Sequence, residues 1–83
     1  MKKIISVIGL GYVGLPLAVA LSKKNNVIGF DVKKSRIKEL KAFQDNTLEV
    51  SSHALKASKK LTFTSSSSKI VGSDIFIATV PTP

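Results

Sequence analysis

The chain has 83 residues, with 13 basic side chains against 5 acidic ones, so its formal net charge is +8, and it contains no cysteine. This length allows one domain at most, and the lack of cysteine excludes disulfides, cysteine-ligated zinc and a thiol nucleophile within these residues. Hydrophobic residues make up 43% of the chain and charged residues 22%, which is typical of a globular protein rather than a disordered one.

Short apolar runs alternate with helix-forming stretches in the first half of the chain. The almost continuous apolar run Ile4–Ile8 predicts a strand that is covered on both faces. After three glycines, a helix-forming stretch extends to Leu21, and either Asn25 or Asn26 is expected to provide a left-handed cap. Residues 27–30 predict a second strand that is closed by an aspartate.

The second half of the chain continues the alternation. Apolar residues at helical spacing predict a helix that ends near Phe43 or Gln44. Ser51 or Ser52 is suited to cap a short helix in the less regular stretch that follows. The remaining predicted elements are a third strand, a brief helix that ends near Gly72 and a fourth strand, over residues 61–64, 65–72 and 75–80.

This alternation of strands and helices predicts an α/β fold with a parallel sheet and right-handed crossovers. A doubly wound, Rossmann-like nucleotide-binding unit begins in this way, and its first four strands take the order 3-2-1-4. Residues 1–83 are therefore expected to form the N-terminal part of one dinucleotide-binding domain, with no second domain in the chain.

Residues 9–14 have the pattern G-x-G-x-x-G, directly after the first predicted strand and at the start of the first predicted helix. Gly9 would allow the tight turn out of the strand, Gly11 would let a pyrophosphate approach the backbone, and Gly14 would let the helix pack on the strand. The N–H groups near Tyr12 and Val13 would face the phosphates. The alternative is a glycine-rich turn that is needed only for packing.

Pro16 limits where this helix can begin. A proline is tolerated in the first helical turn, where its missing N–H has no partner in any case. The regular helix is therefore expected to start near Val13, or else to have a distorted first turn. Neither outcome removes the phosphate site.

Asp31 ends the second predicted strand, 22 residues after Gly9, where a dinucleotide-binding unit carries an acid for the adenosine ribose. Its charge would repel a 2′-phosphate, which favours NAD over NADP. Lys33, Lys34 and Arg36 act against that preference, because they could screen the charge. Three roles are open for Arg36: it covers the adenine, it pairs with Asp31, or it is a solvated charge on a helix face.

Three segments of the chain resemble a known family. Residues 7–18, which include GYVGLP, residues 29–32 with the following Arg36, and residues 74–83, which end in VPTP, are similar to the N-terminal NAD-binding domain of the UDP-glucose/GDP-mannose dehydrogenases. The LEV sequence of residues 48–50 and the VPTP ending look most like the UDP-N-acetylhexosamine 6-dehydrogenases of bacterial surface-polysaccharide synthesis. The resemblance covers essentially the whole chain.

The resemblance implies an activity and a set of contacts. Such enzymes oxidise the C6 alcohol of a nucleotide sugar to a carboxylate in two steps, with two NAD and a cysteine-bound intermediate. It implies that Val13, Asp31, Arg36 and Thr82 contact NAD, although Thr82 could also be an ordinary turn residue between two prolines. A homo-oligomeric parent enzyme is expected, and the chain does not separate the N-acetylglucosamine, N-acetylgalactosamine and N-acetylmannosamine substrates.

The sequence departs from the family at one point, because the family's catalytic cysteine and lysine lie well downstream of these residues. The chain is therefore expected to be an inactive fragment of a larger enzyme, with no catalytic and no metal-binding residue of its own. A stand-alone NAD-binding or NAD-sensing module shares every feature of the glycine loop and remains an alternative.

The charge of +8 invites a nucleic-acid or membrane interpretation, and we expect neither. The lysine pairs at 2–3, 23–24, 33–34 and 59–60 are spread over separate elements with few aromatic residues between them. No apolar run approaches the ~20 residues that span a bilayer. Glycines interrupt the apolar stretch after the first lysines, which argues against a signal peptide and makes a cytoplasmic location the expectation.

Overall fold

Four parallel strands form a single sheet in the computed structural model, which describes residues 3–79. The strand order is β3-β2-β1-β4, which confirms the order predicted from the sequence. β1 pairs with β2 on one side and with β4 on the other, and Ile5 of β1 lies opposite Val27 of β2 and Ile75 of β4. The strands are β1 Ile4–Ile8, β2 Asn26–Phe30, β3 Leu61–Thr64 and β4 Ile75–Ala78.

The helices connect these strands as the alternation predicted. They are α1 Gly14–Leu21, α2 Lys34–Lys41 and α3 Ser52–Ala57, with a short 3-10 helix at Ser67–Ile70. The predicted cap of α3 is confirmed for Ser51, whose hydroxyl accepts a hydrogen bond from the Ala54 N–H at 3.1 Å. No helix within residues 3–79 is long and apolar enough to cross a membrane.

Helix α1 begins where Pro16 allows it to begin. Val13 is the N-cap and Pro16 is the third helical residue, so the missing N–H of the proline costs no helical bond. The predicted left-handed cap at Asn25 or Asn26 is wrong. Asn25 instead donates its backbone N–H and its side-chain amide to the Leu21 carbonyl, both at 3.1 Å, which closes the helix end without a left-handed residue.

Helix α2 ends at Lys41, earlier than predicted, because Phe43 has a left-handed backbone with φ 61°. The Phe43 N–H donates to the Leu40 carbonyl at 3.0 Å, and the Gln44 N–H donates to the Glu39 carbonyl at 3.1 Å. These two bonds are a Schellman motif, in which glycine usually takes the left-handed position. The motif turns the chain sharply into the loop of residues 44–50.

The core lies around the two central strands. α1 packs on β1 and β2, and α2 contacts β3. β4 is less covered, since Ile75 and Phe76 are 39% and 51% exposed. The core residues are Ile5, Val7, Leu10, Leu15, Ala18, Val27, Ile37, Leu40, Leu55 and Leu61.

Candidate functional site

The turn from β1 into α1 is packed against the carboxyl end of β4. Gly9 has φ +96°, and its N–H donates to the Phe30 carbonyl at 2.8 Å. A Cβ on Gly9 would collide with the Thr79 carbonyl oxygen, and a Cβ on Gly14 would collide with the Gly9 carbonyl oxygen. Both glycines are therefore required by contacts within the chain itself.

Gly11 differs from the other two glycines of the turn. A Cβ on Gly11 would have no heavy atom within 4 Å, and its φ lies outside the left-handed region. Neither packing nor backbone conformation within the described residues requires glycine there. The space beside Gly11 is open to a ligand that approaches the backbone, which is the role expected of the second glycine in a dinucleotide turn.

The start of α1 presents unused hydrogen-bond donors. Within residues 3–79, the backbone N–H groups of Tyr12 and Val13 donate to no other group. The side chains of both residues point outward, with 68% and 65% of the residue surface exposed. The first turn of α1 carries no acidic residue and no side-chain cap, so nothing in it offsets the positive end of the helix dipole.

Asp31 lies directly after β2, beside the glycine turn. Its Oδ2 accepts a hydrogen bond from the Leu10 N–H and its Oδ1 accepts one from the Lys33 N–H, both at 3.0 Å. These bonds fix the orientation of the carboxylate. Each oxygen has a further lone pair that can accept a hydroxyl hydrogen, because an ionised carboxylate has about four acceptor sites.

Arg36 is buried, with 9% of its surface exposed, so the solvated-charge interpretation is wrong. Pairing with Asp31 is also wrong, because the ion pairs of Arg36 within the described residues are with Glu39 at 2.7 Å and Asp45 at 2.9 Å. Its Nε donates to the Leu10 carbonyl at 2.7 Å. Arg36 therefore links α2, the glycine turn and the 44–50 loop.

Asp45 is a site residue that the sequence reasoning missed. Its Oδ1 accepts from the Thr47 N–H at 2.9 Å and the Thr47 hydroxyl at 2.6 Å, and its Oδ2 accepts from the N–H groups of Glu49 and Val50, both at 3.0 Å. Burial acts to raise the pKa of Asp45, but the bonds from Thr47 and Arg36 outweigh it and lower that pKa to about 2. The available signal was a turn-forming aspartate with a threonine two residues later.

Thr79 is the second residue that was missed. Its hydroxyl donates to the Gly9 carbonyl at 2.7 Å, and its N–H donates to the Ile8 carbonyl at 2.8 Å. Thr79 thereby holds the glycine turn from the side of β4. The predicted strand order was the available signal, because it places β4 beside β1; the register that pairs Ala78 with Ile8 and brings Thr79 to Gly9 comes from the structure.

A cleft of about 660 Å³ lies at the carboxyl edge of the sheet. Gly11, Asp31 and Arg36 lie on its wall, so the structure brings these predicted site residues together. Thr82 lies outside the described residues. The remaining lining residues are Leu10, Lys33, Ser35, Lys38, Glu39, Ala42, Gln44, Asn46 and Thr47.

Residues 3–83 match the family model of the NAD-binding domain of the UDP-glucose/GDP-mannose dehydrogenase family. The chain belongs to this family. It is 49% identical over 79 residues to the UDP-N-acetyl-D-glucosamine 6-dehydrogenase of Pseudomonas aeruginosa and 52% identical over 79 residues to that of Salmonella typhi. Each of these alignments covers 95% of the chain and 19% of the relative, so the chain spans about a fifth of their length.

Solved structures of this family share the fold of the NAD-binding domain. The UDP-D-ManNAc dehydrogenase of Pyrococcus horikoshii superposes with a TM-score of 0.90 at 33% identity, over 96% of this chain and 20% of that one. The GDP-mannose dehydrogenase of Pseudomonas aeruginosa, solved as a ternary complex, gives a TM-score of 0.84 at 32% identity, over 95% of this chain and 20% of that one. These neighbours and the family model assign NAD as the cofactor of the domain.

Proposed function

We propose that this chain is the NAD-binding part of a UDP-N-acetylhexosamine 6-dehydrogenase. Two relatives at about half identity are UDP-N-acetyl-D-glucosamine 6-dehydrogenases, which supports this substrate class. Oxidation of the C6 alcohol to a carboxylate removes four electrons, and bound NAD supplies the hydride acceptor for each of two successive two-electron steps. The product, an activated uronic acid, suits polysaccharide synthesis.

The open space beside Gly11 is the observation that carries the proposed cofactor site. A pyrophosphate beside Gly11 would meet the unused N–H donors of Tyr12 and Val13 at the positive end of α1. Gly9 and Gly14 would hold that turn in its shape. The residues of the turn thus bind and orient the cofactor but provide no acid or base for the oxidation.

Asp31 would accept hydrogen bonds from the hydroxyls of the adenosine ribose, and its charge favours NAD over NADP. Lys33 and Lys38 line the same cleft and oppose this preference. Arg36 also retains a donor for a phosphate, because its NH1 is paired with Glu39 and Asp45 but its buried NH2 has no partner within residues 3–79. Val13, Asp31, Arg36 and Thr82 remain proposed NAD contacts.

The chemistry of the proposed reaction requires groups outside these 83 residues. The chain has no cysteine, so a covalent thiohemiacetal cannot form on it. A homo-oligomeric state and a cytoplasmic location of the complete enzyme remain predictions.

The test uses the full-length protein that carries this chain. Calorimetric titration with NAD and with NADP measures both affinities, and NADH absorbance follows the oxidation of UDP-N-acetylglucosamine, UDP-N-acetylgalactosamine and UDP-N-acetylmannosamine. We expect NAD to bind more tightly and one of these sugars to yield two NADH per molecule. NAD binding without oxidation of any UDP-sugar would instead indicate a binding or sensing module.

A further inference from the structure

The 44–50 loop has a backbone that its own residues do not favour. Leu48 adopts a left-handed φ of 58° although the residue is 87% exposed, so packing of its side chain does not explain the conformation. Left-handed backbone is costly for a residue with a Cβ and persists where the surroundings impose it. The bonds that impose it here converge on Asp45.

Asp45 is fully buried as a side chain and gathers the whole loop around one carboxylate. It accepts bonds from the backbone of Thr47, Glu49 and Val50 on either side of Leu48. Its negative charge also faces the buried guanidinium of Arg36. A buried charge is costly unless an opposite charge or hydrogen bonds compensate it, so Asp45 and Arg36 stabilise each other in addition to the bonds from the loop.

The Asp45 carboxylate lies next to the cofactor cleft but is not part of its lining. Gln44, Asn46 and Thr47 on either side of it do line the cleft, as does Arg36. Glu39 reinforces this arrangement, because it accepts bonds from both the Asn46 backbone and the Asn46 side chain. The part of the cleft wall that the 44–50 loop forms is therefore held in shape by buried hydrogen bonds and ion pairs.

On the basis of the function proposed above, we propose that Asp45 is a positioning residue of the NAD site. It holds Arg36 and the 44–50 loop in place as one wall of the cleft, and it thereby sets the affinity for NAD without touching the cofactor. Loss of its negative charge would leave Arg36 held by Glu39 and the Leu10 carbonyl alone, and it would let Leu48 relax to an ordinary backbone conformation.

The test compares Asp45→Asn with Asp74→Asn in the full-length protein, below the melting temperature of each variant. Both changes neutralise an aspartate that accepts a backbone N–H, but Asp74 bonds to Ile4 at the opposite edge of the sheet. We expect Asp45→Asn to raise the Kd for NAD about tenfold, which corresponds to the loss of one hydrogen bond between the displaced wall of the cleft and the charged cofactor. Asp74→Asn should leave the Kd for NAD unchanged.

Two further measurements separate positioning from a general loss of stability. For Asp45→Asn, the KM for NAD should rise in parallel with the Kd, while kcat and the KM for the sugar nucleotide stay at their unmodified values. Leu48→Gly added to Asp45→Asn should recover part of the NAD affinity, because glycine takes the left-handed conformation without strain. The double variant also serves as the test protein if Asp45→Asn alone does not fold, and it should still bind NAD more weakly than Leu48→Gly alone.

The outcomes for the two proposals are distinct. The absence of NAD binding by the unmodified protein would overturn the proposed function and this inference with it. NAD binding by the unmodified protein together with a Kd for Asp45→Asn within twofold of it would overturn the inference alone. An equal loss of affinity in Asp45→Asn and Asp74→Asn would also overturn it.

Discussion

Gly11→Ala and Gly14→Ala are the same chemical change at two glycines of one turn, and the structure predicts opposite consequences for them. The methyl group of Gly11→Ala enters space with no heavy atom within 4 Å. Because an alanine there adopts the native backbone without strain, it should leave the free energy of unfolding unchanged or raise it by about 0.4–1 kcal/mol. The methyl group of Gly14→Ala meets the Gly9 carbonyl oxygen, which belongs to the backbone and cannot swing away.

The expected magnitudes separate the two variants clearly. Gly14→Ala should lower the free energy of unfolding by about 3 kcal/mol, as overpacked sites do. Gly11→Ala should instead weaken NAD binding, because its methyl group occupies the approach of the pyrophosphate to the N–H groups of Tyr12 and Val13. The loss of one or two hydrogen bonds to a charged group corresponds to about 1.5–3 kcal/mol, or roughly a 10- to 150-fold higher Kd.

Urea unfolding and calorimetric titration of NAD on the full-length protein measure both quantities. The unmodified protein is the reference for each variant, and Gly72→Ala is a matched control, because a Cβ on Gly72 also meets nothing within 4 Å and Gly72 precedes β4 at the opposite edge of the sheet. Unchanged NAD affinity in Gly11→Ala would refute the assignment of this space to the cofactor. Destabilisation of Gly11→Ala to the level of Gly14→Ala would refute the steric reasoning.

Three further changes test the acid at the end of β2, the buried aspartate and the strained loop. Asp31→Ala should raise the Kd for NAD about tenfold and reduce the ratio of NADP Kd to NAD Kd, both measured by calorimetry. Tighter binding of NADP than of NAD by the unmodified protein would contradict the role assigned to Asp31. The pKa of Asp45 falls from 3.8 to about 2 on folding, so its ionised form adds about 2 kcal/mol to the free energy of unfolding above pH 4. This contribution is lost as the pH falls towards 2. The stability difference between the unmodified protein and Asp45→Asn in urea unfolding should therefore shrink between pH 5 and pH 2, and a constant difference would be inconsistent with this origin. Leu48→Gly should stabilise the protein by about 0.5–1 kcal/mol while Leu48→Ala does not, which urea unfolding at neutral pH can decide.

Local signals were sufficient to predict the sheet and the glycine turn. The alternation of strands and helices predicted the order β3-β2-β1-β4, and the apolar runs predicted the bounds of β1 and β3. β2 begins one residue earlier than predicted, and β4, predicted over residues 75–80, ends at Ala78. Pro16 predicted the start of α1 within one residue, because a missing N–H is a constraint that no tertiary contact can remove. These features depend on residue types whose backbone preferences are strong.

The pairing of Arg36 with Asp45 was not predictable in the same way. The position of Asp45 depends on a loop with two left-handed residues, Phe43 and Leu48, and neither phenylalanine nor leucine is typical of that conformation. The Schellman motif at Phe43 ends α2 early and brings Asp45 back towards Arg36, nine residues earlier in the chain. A conformation imposed by tertiary contacts leaves no mark in local sequence preference, so the sequence indicates a longer α2 and leaves pairing with Asp31 as one of three open roles for Arg36.

The three glycines of the turn show how a binding site can be separated from a merely structural feature. Gly9 and Gly14 are explained by atoms of the chain, because a Cβ on either residue collides with backbone oxygens. Gly11 has no such explanation within the described residues, and the neighbouring N–H donors of Tyr12 and Val13 are also unused there. The open space beside Gly11 and the unused N–H donors of Tyr12 and Val13 therefore lie at the same point of the surface. An anionic group that approaches the backbone closely would occupy this space and accept from these donors, and the pyrophosphate of NAD has that chemistry.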